Sequence, residues 1–283
     1  MPGDLIGTQV LHTAADRTQP LTLQFQPGPI FANLVLADEI NRASPKVQSA
    51  LLEAMGERQI TVDGRTYPLN IDLSGDPTAL PEGEWVQRGG PFLVIATQNP
   101  IEMEGTFRLP EAQLDRFLFH VDVPYPGTSL LETILRETTG AAFVDRATPH
   151  PLPELGFEAL STFMAMVRRV EEDDRALRVA ARAVRLTQPF DRPGDPALPK
   201  IKEVVEFGSS PRGGQALILG GKVRALSQGR SHLAIEDLQA VAIPTLRHRL
   251  VLNHHGRRAA RGDDHFFARL IQEIMRAAMA GVA

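Results

Sequence analysis

Residues 34–40 read Leu-Val-Leu-Ala-Asp-Glu-Ile: four apolar side chains, then two adjacent carboxylates at Asp38 and Glu39. An unbroken apolar run this short fits a strand buried on both faces of a parallel sheet. The acids then fall at the carboxyl end of that strand, where open α/β sheets bind their ligands. In that position one carboxylate can hold the water shell of a Mg2+ ion while the next polarises an attacking water. Taken alone, the same stretch also reads as a strand followed by a solvated acidic turn.

On both sides of this stretch the pattern alternates between strand and helix. Residues 21–26 (LTLQFQ) alternate apolar and polar side chains and end at Pro27-Gly28-Pro29, as a half-buried strand does. After the carboxylates, Ser44 can cap a helix and Pro45 suits its first position. Val47, Ala50, Leu51, Ala54 and Met55 then share one apolar stripe. Residues 59–62 and 65–69 flank Asp63-Gly64, a two-residue hairpin signal. Residues 70–90 are rich in Pro, Gly and acids, contain Trp85, and read as a long exposed loop. Residues 92–97 (FLVIAT) predict a second buried strand, Pro110 opens a short helix containing Leu114, and residues 119–123 predict a further strand. The expected organisation is an α/β domain over residues 1–126 with a parallel sheet, a proline-rich linker over 127–153, and an all-α domain over 154–283. Within the last, Ser210-Pro211 and Glu236-Asp237 open helices, and residues 163–166 read as helix core.

The composition narrows the function. The 283 residues are 43% hydrophobic and 23% charged, ordinary for a globular protein with room for two domains. A net charge of −4 argues against a general nucleic-acid or membrane-surface binder. No cysteine is present, which excludes disulfides, thiolate zinc sites and thiol nucleophiles and fits the cytoplasm. No apolar run approaches the ~20 residues that span a bilayer. The opening MPGDLIGTQV lacks the basic and apolar regions of a secretion signal. His254-His255 has no third ligand in view and reads as surface. His248 lies between Arg247 and Arg249 near a helix end, a favourable place for cations. Arg257, Arg258 and Arg261 extend a solvated basic face.

Three further positions carry candidate chemistry. Asn99, in Ala-Thr-Gln-Asn-Pro after the second strand, could orient water toward a γ-phosphate, although Asn-Pro turns are common after strands. Arg116, in LPEAQLDRF, could reach a neighbouring subunit's phosphate, a task suited to a fixed, forked charge. The plainer alternative is a surface pair with Asp115, worth little. Arg212, in GSSPR, stands in the first turn of a helix, where its charge opposes the helix dipole; that placement hints at a use.

The order and spacing of all four signals resemble the MoxR family of AAA+ ATPases. Residues 28–69, from GPIFANLVLADEIN to TYPL, resemble the family's Walker B region and pre-sensor hairpin. PFLVIATQNPIEMEGT resembles its sensor 1 segment, and LPEAQLDRFLF its arginine-finger segment. FGSSPRGGQALILGGKVRAL and IPTLRHRLVL resemble two lid helices. The resemblance implies a P-loop NTPase-like AAA+ core with an all-α lid, using ATP and Mg2+. By motif it implies that Asp38 holds Mg2+ through water, Glu39 is the catalytic base and Asn99 is sensor 1. Arg116 would be the arginine finger acting in trans, and Arg212 sensor 2. It further implies a homo-oligomeric ring, expected to be a hexamer, a protein client, and a von Willebrand factor A domain partner. The coupled work would be chaperone-like remodelling or metal-cofactor insertion.

The sequence departs from the family twice. Residues 70–90 stand where the family passes directly from one strand to the next. No G-x-x-x-x-G-K-[ST] occurs, and Gly220-Gly221-Lys222 follows Ala216 and lies in a lid helix. The resemblance implies that a P-loop and roughly 70 to 100 residues precede Met1 in a full module. The 283 residues alone are expected to bind ATP weakly. Two other function classes remain open: a non-hydrolysing structural or regulatory subunit of such a ring, and a nucleic-acid motor related to the MCM helicases.

Overall fold

The computed structural model describes residues 5–12, 22–62, 64–69, 91–99, 106–139, 157–190 and 198–282. Strands β1 (Gly7–His12) and β2 (Thr22–Pro27) pair antiparallel, so the predicted strand at 21–26 is present one residue on, with a partner the alternation did not announce. Strand β3 (Leu34–Ala37) pairs in parallel with β6 (Leu93–Ala96), Leu34 opposite Leu93 and Ala37 opposite Ala96. Between them come helix α1 (Pro45–Glu57) and the hairpin β4 (Gln59–Val62) and β5 (Arg65–Pro68). Gly64 takes φ 80°, as a two-residue turn between paired strands requires; Asp63 lies outside the described residues. So do residues 70–90 with Trp85.

The parallel pair is buried on one face, not two. Val35 and Ala37 turn toward α1, whereas Leu34 is 59% exposed and Leu36 68% exposed, beside exposed Leu93 and Ile95. Period-2 alternation always operates in a strand. Here the outward row is apolar too, so the unbroken run gave no sign that only one face is covered. The first core gathers Ile30, Val35, Ile40, Leu51, Leu52, Ala54, Ile60, Leu69 and Leu109 around α1. Ser44 precedes Pro45 at the N-terminus of α1 but makes no side-chain cap bond.

Helix α2 (Glu111–Leu114) follows Pro110, as predicted. Residues 119–123 do not form a strand. Val121 and Val123 are exposed, and among the described residues no strand pairs with them, so the apolar alternation has no ladder there. Helix α3 (Thr128–Thr139) falls within the expected linker.

The second core is helical: α4 (Phe157–Arg169), α5 (Asp174–Leu186), α6 (Pro199–Val204), α7 (Pro211–Ser227), α8 (Ile235–Leu246), α9 (His254–Ala260) and α10 (Phe266–Ala280). A short antiparallel pair, β7 (Val205–Phe207) with β8 (Val251–Leu252), interrupts them. Val179, Ala183, Leu217, Leu238, Leu246, Ile271 and Ile274 form its centre. Buried Asp237 closes the α7–α8 turn by accepting from Arg230, Arg224 and the Ala234 N–H, and these hold its carboxyl down to about 2. The Phe163, Met164 and Met166 side chains, expected as core, are 39–46% exposed. Their helix buries Val167 instead, and Val170 is buried just beyond its end, so the covered face is another one. His254 and His255 lie exposed with ring centroids 4.0 Å apart, and no metal-binding cluster occurs among the described residues.

Candidate functional site

The register of β3 with β6 sets the site. Because Ala37 is opposite Ala96, the next residues of each strand, Asp38–Glu39 and Thr97–Asn99, emerge together at the carboxyl end of the parallel pair. The ladder runs one step past the strands: Thr97 N–H donates to Ala37 O at 3.0 Å, and Ile40 N–H to Thr97 O at 3.0 Å. Thr97 Oγ1 donates a short hydrogen bond to Asp38 Oδ1 and accepts one from the Glu39 N–H at 2.8 Å. One hydroxyl thus ties both carboxylate residues to the neighbouring strand.

Glu39 sits at φ 47°, ψ 50°, a left-handed conformation that costs a non-glycine residue about 1–2 kcal/mol. The contacts to Thr97 from the Glu39 and Ile40 N–H groups hold that turn in place. Arg42 Nε lies 3.0 Å from Glu39 Oε2, both side chains being substantially exposed. Behind the tip, buried Asn41 donates to Asn99 O at 2.9 Å, so the sensor candidate's backbone is tied to the acidic turn. Buried Gln48 of α1 donates to Ile40 O and Phe107 O, both at 3.1 Å. Asn41 Oδ1 is buried without a partner. Asp38, Glu39 and Asn99 therefore share one end of the parallel pair.

The two arginines have their hydrogen-bond partners elsewhere. Arg116 lies just beyond α2 and donates to Leu52 O of α1 at 2.6 Å. Gly56 makes room: a Cβ there would come within 2.2 Å of the Arg116 guanidinium. Arg116 does not pair with Asp115, the plainer alternative for it. Asp115 faces the helical domain and accepts from Ser210 Oγ at 2.7 Å, Arg249 Nε at 3.0 Å and Arg212 Nη1 at 3.4 Å. Ser210 caps α7 by accepting from the Arg212 N–H at 3.1 Å, which places Arg212 in the first turn. Arg212 is 55% exposed on its side chain.

Arg249, to which the sequence assigned no role, and His248 complete this contact with the helical domain. The Arg249 side chain is 2% exposed, and the fold surrounds it with carbonyls and one carboxylate. Burial draws its pKa down, opposed by Asp115. His248, expected to favour a cation, is buried with Nε2 3.0 Å from Phe117 O. Burial and the adjacent Arg249 hold its pKa down at about 4, so the ring is neutral at pH 7. The helix-end argument fails because the imidazole points into the domain interface, not into solvent.

Comparison with known proteins gives the family and the fold. Residues 1–74 and 80–119 match the family model of the ATPase family associated with various cellular activities (AAA), and residues 200–274 match that of the AAA lid domain. The chain is 35% identical over 254 residues to the uncharacterized protein YeaC of Bacillus subtilis, covering 88% of this chain and 67% of that one. It is 35% identical over 258 residues to the chaperone MoxR1 of Mycobacterium tuberculosis, covering 90% and 59%. The chain belongs to the MoxR family of AAA+ ATPases. A crystal structure of a protein described as an ATPase from Cytophaga hutchinsonii superposes on this MoxR chain with a TM-score of 0.74 at 30% identity, covering 98% of this chain and 73% of that one. That likeness matches the parallel pair followed by a helical lid. Among the described residues of this MoxR-family chain, no helix is long and apolar enough to cross a membrane.

Proposed function

We propose that this MoxR-family chain supplies the hydrolytic half of an ATPase site, in which Asp38 and Glu39 act on a nucleotide held at the tip of the β3–β6 pair. The observation that carries the reading is the single Thr97 hydroxyl that fastens both carboxylate residues beside Asn99. Carboxylate oxygens are the donors that Mg2+ prefers, and Asp38 is the group that would hold it through water. The ion would offset charge on the phosphates. Glu39, raised from the strand by its left-handed backbone, would take a proton from the attacking water, and Asn99 would orient that water.

Arg212 would reach the nucleotide from the lid, and Arg116 would serve the nucleotide of the neighbouring subunit in a ring, of which a hexamer is the expected form. The work coupled to hydrolysis is chaperone-like remodelling of a protein client or insertion of a metal cofactor, with a von Willebrand factor A domain protein as partner. The relative named as a chaperone supports the first of these. The 283 residues contain no phosphate-cradling G-x-x-x-x-G-K-[ST], so taken by themselves they would bind ATP weakly.

The test is Glu39→Gln in the full-length protein. Loss of a general base costs about 10²–10⁴-fold in turnover. ATP affinity should persist, because a neutral amide does not repel phosphate. Full turnover in that variant would end the assignment of the base and favour the non-hydrolysing reading.

A further inference from the structure

Arg249 belongs to the lid, yet four of its five N–H donors are spent on the segment that carries Arg116. Nε donates to Asp115 Oδ1 at 3.0 Å. Nη2 donates to Asp115 O at 3.1 Å and Phe117 O at 2.7 Å, and Nη1 to Leu118 O at 3.3 Å. The fifth bond, from Nη1 to Thr245 O, anchors the guanidinium to its own helix end. A guanidinium has five donors in a rigid planar fork, so none is left over. Two more lid contacts reach the same stretch: His248 Nε2 at Phe117 O, and the His120 N–H donating to Pro244 O at 2.8 Å.

The segment is held from the other side as well. Leu114 and Phe117 pack against the first core, and Arg116 crosses to Leu52 O on α1. Residues 115–118 are therefore a joint. Their polar backbone and the Asp115 carboxylate belong to the lid, while the Leu114, Arg116 and Phe117 side chains belong to the core. Beside the Ser210 hydroxyl, two arginines hold Asp115, and these two ties differ in kind. Arg249 is buried and saturated, whereas Arg212 is exposed and reaches Asp115 through one long bond. An anion arriving at the lid can take Arg212 without disturbing Arg249.

We infer that Arg249 is a positioning residue for Arg116, fixing its segment to the lid so that the lid's position sets where Arg116 points. The inference rests on the reading of Arg116 as a group that serves a neighbouring subunit. A subunit whose lid shifts when Arg212 turns to its own nucleotide would, through Arg249 and Asp115, shift the arginine it offers next door.

Two measurements test this. The first needs no nucleotide. The chain has no cysteine, so spin labels attach only where cysteines are introduced. Labels at Glu111→Cys on α2 and Gln239→Cys on α8 should give a narrow distance distribution by double electron–electron resonance. Arg249→Gln should broaden it, while circular dichroism shows the helices intact. If Arg249→Gln unfolds the lid, Arg249→Lys serves instead, since it keeps the charge opposite Asp115 and loses the fork. An unchanged distribution in a folded variant overturns the inference.

The second measurement mixes subunits in rings of the full-length protein. Arg249→Gln alone should lose about 10²-fold in turnover, the scale of an ångström's misplacement, with KM for ATP unchanged. Adding Glu39→Gln subunits, inactive themselves but carrying a well-placed Arg116, should restore turnover to the Arg249→Gln sites. Arg116→Ala is the control and should be rescued in the same way. Rescue of Arg116→Ala without rescue of Arg249→Gln overturns the inference. Failure of both rescues removes the reading of Arg116 in trans, and the label distances then decide alone whether Arg249 sets the segment.

Discussion

Replacing Thr97 with valine keeps the shape of the side chain and deletes its hydroxyl. Two bonds disappear: the donation to Asp38 and the acceptance from the Glu39 N–H. A hydrogen bond to a charged group is worth about 1.5–3 kcal/mol where water is excluded. Thr97 and Asp38 are both exposed, so water replaces part of the loss, leaving about 1 kcal/mol. Against this, Glu39 is free to leave its left-handed conformation, which recovers a similar amount. Net stability should therefore change little, with Tm moving by no more than about 2–4 °C. Turnover should fall far more, by about 10²-fold, because both carboxylates lose the contact that sets their direction. Thermal denaturation followed by circular dichroism and steady-state ATP hydrolysis by the full-length protein measure the two quantities. Thr97→Ser should recover most of the turnover. Undiminished hydrolysis by Thr97→Val, or a serine variant as impaired as the valine one, would refute the idea that the hydroxyl organises the acids.

Two other outcomes follow from the sequence and from the joint. Isothermal titration of the 283-residue chain with ATP and Mg2+ should give no micromolar affinity; such affinity would show that the phosphates are held without a glycine-rich cradle. His248 is neutral in the fold down to about 4, while the unfolded chain takes up a proton near its ordinary 6.5. Between those values the unfolded state binds more protons. Stability is thus fully present above that window and declines as the pH falls through it, by about 2 kcal/mol between pH 6.5 and pH 5. Urea unfolding of the wild type and of His248→Gln at both pH values should show that decline in the wild type and a smaller one in the variant. Equal slopes would remove His248 as the cause.

The acidic tip was the most legible part of the molecule in its sequence. An apolar tetrad ending in two acids fixes both the strand and the end at which they emerge, since a strand offers only one carboxyl edge. Asn99 followed from the same logic applied to residues 92–97. Thr97 went unremarked although it lies within the quoted stretch, because only the parallel register shows that its hydroxyl falls between Asp38 and the Glu39 N–H. The joint was less legible still. Asp115 and Arg249 are 134 positions apart, and periodicity reports which face of a helix is apolar but not which distant backbone a charge will meet. His248 misled for the same reason: a neighbourhood of two arginines describes the chain, not the cavity into which the ring folds. Residues 119–123 alternate like a strand, but alternation states a capacity for pairing and does not supply the partner.

The outward row of Leu34, Leu36, Leu93 and Ile95 has a practical bearing on handling the protein. A parallel pair with greasy side chains on its open side invites other molecules to stack there in dilute buffer. Concentration, more than heat, should then limit how long the chain stays dispersed. A fluorescent dye that lights up on apolar surfaces should report the row before any unfolding begins. A lysine at Leu34, at the end of β3 away from the carboxylates, is the simplest remedy.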